Sequence, residues 1–538
     1  MSLIVNGTEI TDLIVIDRQG NRVEIEKMQD QLGNILFEKA TAPKIFIVPF
    51  KDGGSGCYTY QSSGTAVAGT SYYQYNIDTC LFDEVSIAEG GDITGYFTGS
   101  MDGASYYAVV KTNGYGANNG ANILGLSTIT IPGEFNGLPV RCISEMAFYG
   151  DTNVTKIVIQ EGVEVIGEDA FKGCTNLTEV VVPNSASMID ATAFMNTALI
   201  SNENNWTGDC LYLNNKLIAI KSTATQITVP SNVTTVANHC AEGCEGLTTV
   251  NFNATKLIPQ KNVVFVNNYK VPGTASSTVR TAGINTEGLF SWESAGPRDN
   301  AVQRIVPATL NIGSNVYSLP STILSAGCHQ NSGQGGDILR GGFTSLTPNF
   351  LENTNITELQ PFSLVYPLRN DITNASNPFV IPSKITSVMP YACAGGVNSH
   401  YNFGYFRVDC NVLSESMFAD QSTLTSSVKS IVLNGRPTEI PKNCFNSLEK
   451  LTSMVIPSSV AKLGDSCFKE CNGITTLTFN QPSGMAVQMP TAGSSTGAFY
   501  YKSARAVTIY TDNEDIKNYA WATDNVTATI YHLNGSAW

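Results

Sequence analysis

The chain has 538 residues, enough for several domains with ample core. Its formal net charge is −14 and only 14% of residues are charged, so it lacks the basic footprint that phosphate binding needs, and a nucleic-acid partner is excluded. No apolar run reaches the roughly 18 residues of a membrane span, so membrane insertion is not expected.

In chain order, residues 1–43 read as an N-terminal attachment module. Leu3-Ile-Val, an Asn6-Gly turn, Ile10, then Leu13-Ile-Val-Ile16 and a Gln19-Gly-Asn turn predict short paired strands. Met1-Ser-Leu-Ile-Val-Asn-Gly has neither a basic start nor a useful apolar run, so export by the usual route is not expected. Residues 44–125 form a Gly- and Tyr-rich β lead-in that carries Tyr58, Tyr60, Tyr72, Tyr73, Tyr75, Tyr106 and Tyr107.

Repeats occupy 126–252. In the unit starting at Val154, apolar or small residues stand at offsets 0, 3, 5, 9, 12, 16, 17 and 20: Val154, Ile157, Ile159, Val163, Ile166, Ala170, Phe171 and Cys174. Units from Leu177 and Ala224 keep most of them, and so do two back-to-back units from Val428 and Leu451. A period of about 23 with this spacing is the signature of leucine-rich repeats. Offsets 3 and 5 alternate as in a strand, and a Pro often follows (Pro132, Pro183, Pro230, Pro382, Pro457), ending it for want of an N–H. The remaining offsets carry the chain back, with the Phe packed between coils. One unit cannot bury its own apolar face, so stability comes from stacking and function from an extended surface.

Between Ile200 and Ala224, Cys210-Leu-Tyr-Leu-Asn-Asn-Lys-Leu-Ile-Ala-Ile predicts a hairpin projecting from the stack. Residues 253–355 read as a non-repeat insertion with long polar, glycine-rich loops. Repeats resume over 356–505, and 506–538 form an atypical C-terminal cap with a short helical piece.

Thirteen cysteines do not make a zinc site. Cys174, Cys240, Cys244, Cys444, Cys467 and Cys471 fall on repeat offsets 16 and 20 and are expected as reduced, buried thiols. Cys57 and Cys80 lie outside the repeats, and their pairing stays open. The four histidines, His239, His329, His400 and His532, show no metal-ligand spacing, and no Ser or Cys has an evident base beside it. The acidic groups Asp83/Glu84, Glu161/Glu164/Glu168/Asp169 and Asp512/Glu514/Asp515 read as solvated faces or turns, whereas a glycosidase needs two carboxylates flanking one bond. Asp52-Gly-Gly-Ser-Gly lacks the lysine of a phosphate loop, and no calcium loop appears. No enzyme activity, cofactor or metal is expected. Exposed aromatics suit glycans and protein epitopes, which makes Tyr72, Tyr73, Tyr75, Tyr269 and Trp292 the adhesive candidates; the competing reading is a β-domain core.

The phrase resembles the BspA-type leucine-rich repeats common in gut and oral bacteria and in some protist surface proteins. Ile129-Thr-Ile-Pro132, Asn136-Gly-Leu-Pro-Val140, Ala147-Phe148, Val180-Val-Val-Pro183 with Ala193-Phe194, and Val455-Ile-Pro457 with Cys467-Phe468 carry the likeness. The resemblance implies adhesion through protein or glycan contact. A second one lies in Leu3-Ile-Val-Asn-Gly-Thr-Glu-Ile, Leu13-Ile-Val-Ile-Asp and Gly33-Asn-Ile-Leu-Phe-Glu-Lys39, which is similar to the start of phage tail and virion-surface proteins.

The expected fold is therefore a β-rich BspA-like leucine-rich-repeat solenoid with a non-repeat insertion and a small β-rich N-terminal module. The expected role is a virion-surface tail-fibre or receptor-binding protein. Residues 1–43 would join other virion proteins, the solenoid would contact a host-surface glycan or protein, and the copies would form a homo-oligomer on the particle. The alternatives are a bacterial cell-surface or secreted adhesin and a non-adhesive virion decoration protein.

Overall fold

The alternation at offsets 3 and 5 produces strands that bury every second side chain. Thr128–Ile131, Gln226–Val229 and Ser453–Ile456 all follow this pattern. The computed structural model describes the strand backbones within 3–38, and residues 45–110, 126–258, 290 and 309–538 apart from 46, 52–55, 62, 77–78, 245, 256, 322, 325–326, 330–337, 341–342, 344, 365–371, 395–402 and 420–427. Of 327–329 and 338–340 it describes the backbone alone.

Successive repeats pair their strands in parallel and in register, as in Ile129↔Ile157↔Val180, Ile227↔Val250↔Leu310, Phe379↔Phe406↔Ile431 and Met454↔Leu477↔Ile509. These form the first sheet. A second, narrower sheet stacks the strands near offset 12: Cys142↔Val165↔Met188, Ser318↔Glu358↔Ser387 and Glu439↔Lys462. The third side of each coil is the Ala-Phe corner. The whole is a leucine-rich-repeat β-solenoid of about 12 turns with little helix.

The corner is held by backbone and by rings. Phe148 N donates to Ala170 O (2.7 Å), Phe171 N to Ala193 O (2.9 Å), Phe445 N to Cys467 O and Phe468 N to Ala498 O (both 2.8 Å). To aim these donors along the stack, the residue at offset 15 is left-handed in coil after coil: Met146, Asp169, His239, Phe362, Tyr391, Ser416, Asn443 and Ser466 have φ between 54° and 64°. Offset 19 is left-handed too, filled by Gly150, Gly173 and Gly243 but also by Asn196, Ser447 and Glu470. A left-handed L-residue costs about 1–2 kcal/mol, a cost that the corner hydrogen bonds and ring stacking offset. The phenylalanines form two ladders. Phe148, Phe171 and Phe194 stack at 5.5 and 5.8 Å; Phe418, Phe445, Phe468 and Phe499 at 5.6, 5.1 and 5.2 Å. Cysteines at offset 20 do more than fill space: Cys174 Sγ donates to Phe148 O (3.1 Å) and Cys471 Sγ to Phe445 O (2.8 Å) of the preceding coil. Burial pushes both thiols up to about 12, which keeps them protonated donors.

Three expectations change. First, the hairpin does not project. Cys210–Leu213 and Lys216–Ile220 pair antiparallel, and Lys216↔Thr235 and Leu217↔Val236 join it to the next coil. Leu211, Leu217 and Ile218 are fully buried, so the hairpin is wedged into the stack between the coils of Leu177 and Ala224. Second, the stretch 253–355 contains a coil. Thr309–Ile312 pairs in register with Thr249–Phe252, and Val316, Leu319, Ile323 and Leu324 are buried at offsets 9, 12, 16 and 17. Ile323-Leu324 stands here in the place of Ala-Phe. Third, the chain end keeps the register: Arg505–Thr511 pairs with Thr476–Phe479, and Val526–Tyr531 pairs with Arg505–Thr511. Between them lies the expected helix, Glu514–Lys517, capped by the Asn513 side chain.

In the lead-in, Tyr58–Gln61, Tyr72–Asn76, Leu81–Val85 and Tyr96–Gly99 form an antiparallel sheet. Tyr106–Val109 pairs in parallel with Leu138–Ile143, so the second sheet runs into this region without a break. Near the start, Leu3–Val5 pairs with Thr8–Ile10, and Leu13–Ile16 with Arg22–Ile25. Cys57 and Cys80 are both buried and unbridged, and Cys80 Sγ donates to Ile45 O (3.1 Å).

Candidate functional site

Two surfaces follow from this construction. The first is the outward face of the first sheet, where parallel in-register pairing lines up equivalent residues about 4.8 Å apart. One row contains Thr228, Asn251 and Asn311, with Asn311 Nδ2 donating to Asn251 Oδ1 (2.8 Å). In the later coils the corresponding rows run through Arg407 and Val432, then through Val455, Thr478, Tyr510 and Tyr531. Val432 and Val455 are 51% and 52% exposed, and the Tyr510 and Tyr531 rings stack at 5.7 Å. Such side chains have no packing reason to be apolar where they stand. The parallel row beside them, Ser453, Thr476 and Thr508, is hydroxylic.

The second surface is a cleft of about 550 Å³ at the wedged hairpin. In the hairpin Ile220 takes the corner place of phenylalanine: its N donates to Cys240 O (2.7 Å) and its O accepts from Cys244 Sγ (3.5 Å). The first phenylalanine ladder ends at Phe194, and the next coil has Ala241 at offset 17. Met195, Ile200, Trp206, Ala219 and Ile220 give the cleft an apolar lining, and Glu203, Lys221, Ser222, Thr223, His239 and Glu242 a polar one. Thr197 caps the short helix Ala198–Ser201 that carries Ile200. The Trp206 indole is fixed by its Nε1 donating to Ile200 O (2.9 Å), with Lys221 Nζ 5.4 Å from the ring centre. Lys221 in turn pairs with Glu203 (2.6 Å), and His239 Nδ1 with Asp190 (3.0 Å).

The acidic groups of the sequence are distributed as structural links. Glu161 accepts from Asn184 N (2.7 Å) and Ser185 N (3.0 Å) of the next coil, which lowers its pKa. Glu164 pairs with Arg141 (3.4 Å) and Asp169 with Lys172 (3.0 Å). Loss of hydration, then Asp190, Glu145 and Asp169, push the Glu168 carboxyl up to about 7, with His239 opposing. Asp83 accepts from Asn76, Asp512 pairs with His532 (2.9 Å) and Asp515 accepts from Val487 N (2.8 Å). Among the described residues no group of three or more His, Cys, Asp or Glu could hold a metal ion, and no helix is long and apolar enough to cross a membrane.

Of the adhesive candidates, Tyr72 is buried with its hydroxyl accepting from Val67 N (2.9 Å). Tyr75 is half-buried, its hydroxyl accepting from Ile47 N and donating to Ile45 O. Tyr73 packs edge-on against Tyr58 (5.1 Å) and is half-buried. Tyr269 and Trp292 lie outside the described residues, as do His400 and the 52–55 turn. Neither candidate surface was singled out from sequence. Its signal was the interrupted phenylalanine column, Phe194 then Ala241, with Trp206 between them.

The architecture defines a leucine-rich-repeat solenoid. More particularly, the BspA type leucine rich repeat region matches this chain in six copies over residues 141–271 and 406–527. The repeats within these two stretches are similar to that type. Among solved structures, the chain is similar to a leucine-rich repeat protein from Bacteroides ovatus (14% identity, 79% of this chain and 96% of that one, TM-score 0.26). It is also similar to a leucine rich cell surface protein from Faecalibacterium prausnitzii (16%, 83% and 96%, TM-score 0.24) and to the pneumococcal vaccine antigen PcpA (11%, 75% and 72%, TM-score 0.22). No curated protein sequence matches it.

Proposed function

We propose that the protein is a surface adhesin-type scaffold that binds a cell-surface protein or glycan without transforming it. The observation that carries this reading is the outward sheet face, where Val432 and Val455 stand more than half exposed beside rows of hydroxyls. Large exposed apolar side chains aligned on a rigid face suit contact with a partner. The test is binding of the full chain to intact bacterial and epithelial cells by flow cytometry. Val432→Asp with Val455→Asp should reduce that binding while the thermal transition is kept. Unchanged binding by the double variant removes this face from the reading.

A second reading places the same scaffold on a virion. It is supported by the likeness of residues 1–43 to the start of phage tail and virion-surface proteins. Residues 1–43 would dock to the particle, symmetric copies would add avidity, and the receptor-binding role would fall to the solenoid and to Tyr72, Tyr73, Tyr75, Tyr269 and Trp292. Antibody to residues 1–43 that binds freely to intact particles would contradict docking through that end. The same particles, mixed with host cells, separate a receptor-binding protein from a decoration protein.

A further inference from the structure

We propose that the cleft beside the wedged hairpin holds a neutral sugar unit of a surface glycan, with Trp206 as its platform. This deepens the adhesion reading and rests on it. The volume, about 550 Å³, lies in the range of small-ligand sites. Three features select the ligand class.

The first is the platform. Trp206 is held by its own Nε1 bond to Ile200 O and is flanked by Met195 and Ile200. A rigid indole with its polar atom already satisfied offers apolar area at low entropic cost, which suits the C–H face of a pyranose ring. The second is charge. An ammonium or guanidinium entering the cleft meets Lys221, and a carboxylate or phosphate meets Glu203 and Glu242. Lys221 is paired with Glu203 and His239 with Asp190, so neither sign dominates. The third is the mix of hydrogen-bonding groups. Lys221 donates, Glu203 and Glu242 accept, and Ser222 and Thr223 do both. A ring of hydroxyls needs both kinds at once, whereas a purely apolar ligand would leave the polar lining unmatched.

The site is built by the fold rather than by a loop. Ile220 N donates to Cys240 O (2.7 Å) at the next coil's corner, and Lys216↔Thr235 and Leu217↔Val236 lock the hairpin in place. The cleft is thus preformed, which reduces the ordering cost of binding.

The experiment titrates the full chain with galactose, glucose, mannose and N-acetylglucosamine, using saturation-transfer NMR and tryptophan emission. Parallel titrations use a sialylated sugar and an oligolysine peptide. At least one neutral sugar should bind; Trp206→Ala should weaken it about tenfold or more, Trp206→Phe should weaken it less, and Glu242→Gln should weaken it with the fold intact. No binding by any neutral sugar, binding only by the charged probes, or equal binding by wild type and Trp206→Ala would overturn the proposal. Cell binding separates it from the parent reading. Cells bound without any sugar binding leave the adhesin standing and sink the cleft. Sugar binding lost in Trp206→Ala, with no cell binding by the wild type, does the reverse.

Discussion

Replacing Phe171 by Ala tests the corner ladder where it is most confined. Phe171 is fully buried, with Phe148 at 5.5 Å on one side and Phe194 at 5.8 Å on the other. Truncating a buried Phe costs about 3–5 kcal/mol. Loss of two stacked neighbours, each worth about 0.5–1.5 kcal/mol beyond burial, puts this site at the upper end, near 5 kcal/mol. In a solenoid that energy is held in neighbour interfaces, so the loss should stay local. Native-state hydrogen exchange on the full chain reads it directly. Amides of 143–196 should lose more than about three decades of protection, while those of 428–479 change by less than about 0.5 kcal/mol. A uniform loss along the chain, or a local loss below about 1.5 kcal/mol, would refute the neighbour-stacking argument.

Three further outcomes are expected. Glu470→Gly should raise the melting temperature: Glu470 is left-handed at φ 57°, its Oε1 is buried without a hydrogen bond, and equivalent coils use Gly150, Gly173 and Gly243 there. The gain should be about 1–2 kcal/mol, and a lower melting temperature would contradict the strain. Asp524→Ala should cost about 3 kcal/mol or more, because its buried carboxylate accepts from Gly493 N (2.7 Å), Phe499 N (3.0 Å) and Tyr519 Oη (2.7 Å); denaturant titration of the last coils measures it, and near-wild-type stability would remove Asp524 as their clamp. Burial pulls the Lys216 amine down to about 8 from 10.5, so the unfolded chain binds more protons between those values and stability should rise with pH across them. Lys216→Met should abolish that rise in melting curves taken from pH 8 to 10.5, and a rise that persists would place it elsewhere.

The coil was legible because burial imposes its period on aliphatic residues: Ile157, Ile159, Val163 and Ile166 announce two strands and a return. Phe171 and Cys174 announced the corner's filling, but not its backbone. Left-handed φ at Met146, Asp169, Tyr391 and Ser466 leaves no trace in residue type, because the corner hydrogen bonds overrule local preference. The coil at 309–324 is hidden in the sequence because Ile323-Leu324 fills the space of Ala-Phe by volume rather than by pattern. The hairpin read as projecting because turn residues Asn214-Asn215 say that a chain reverses, not what packs on it. The cleft leaves only a faint trace in the sequence, the phenylalanine column broken between Phe194 and Ala241. It brings together Met195, Trp206, Ala219 and His239, far apart in sequence, because the hairpin is wedged between two coils.

The proposed scaffold holds a surface and leaves it intact. The direct measurement incubates the labelled full chain with whole cells, following bound protein and released sugar or peptide in the same tube. Saturable, reversible binding with no released fragments is the predicted result. Fragments accumulating with time, or no saturable binding to any cell surface tried, would contradict it.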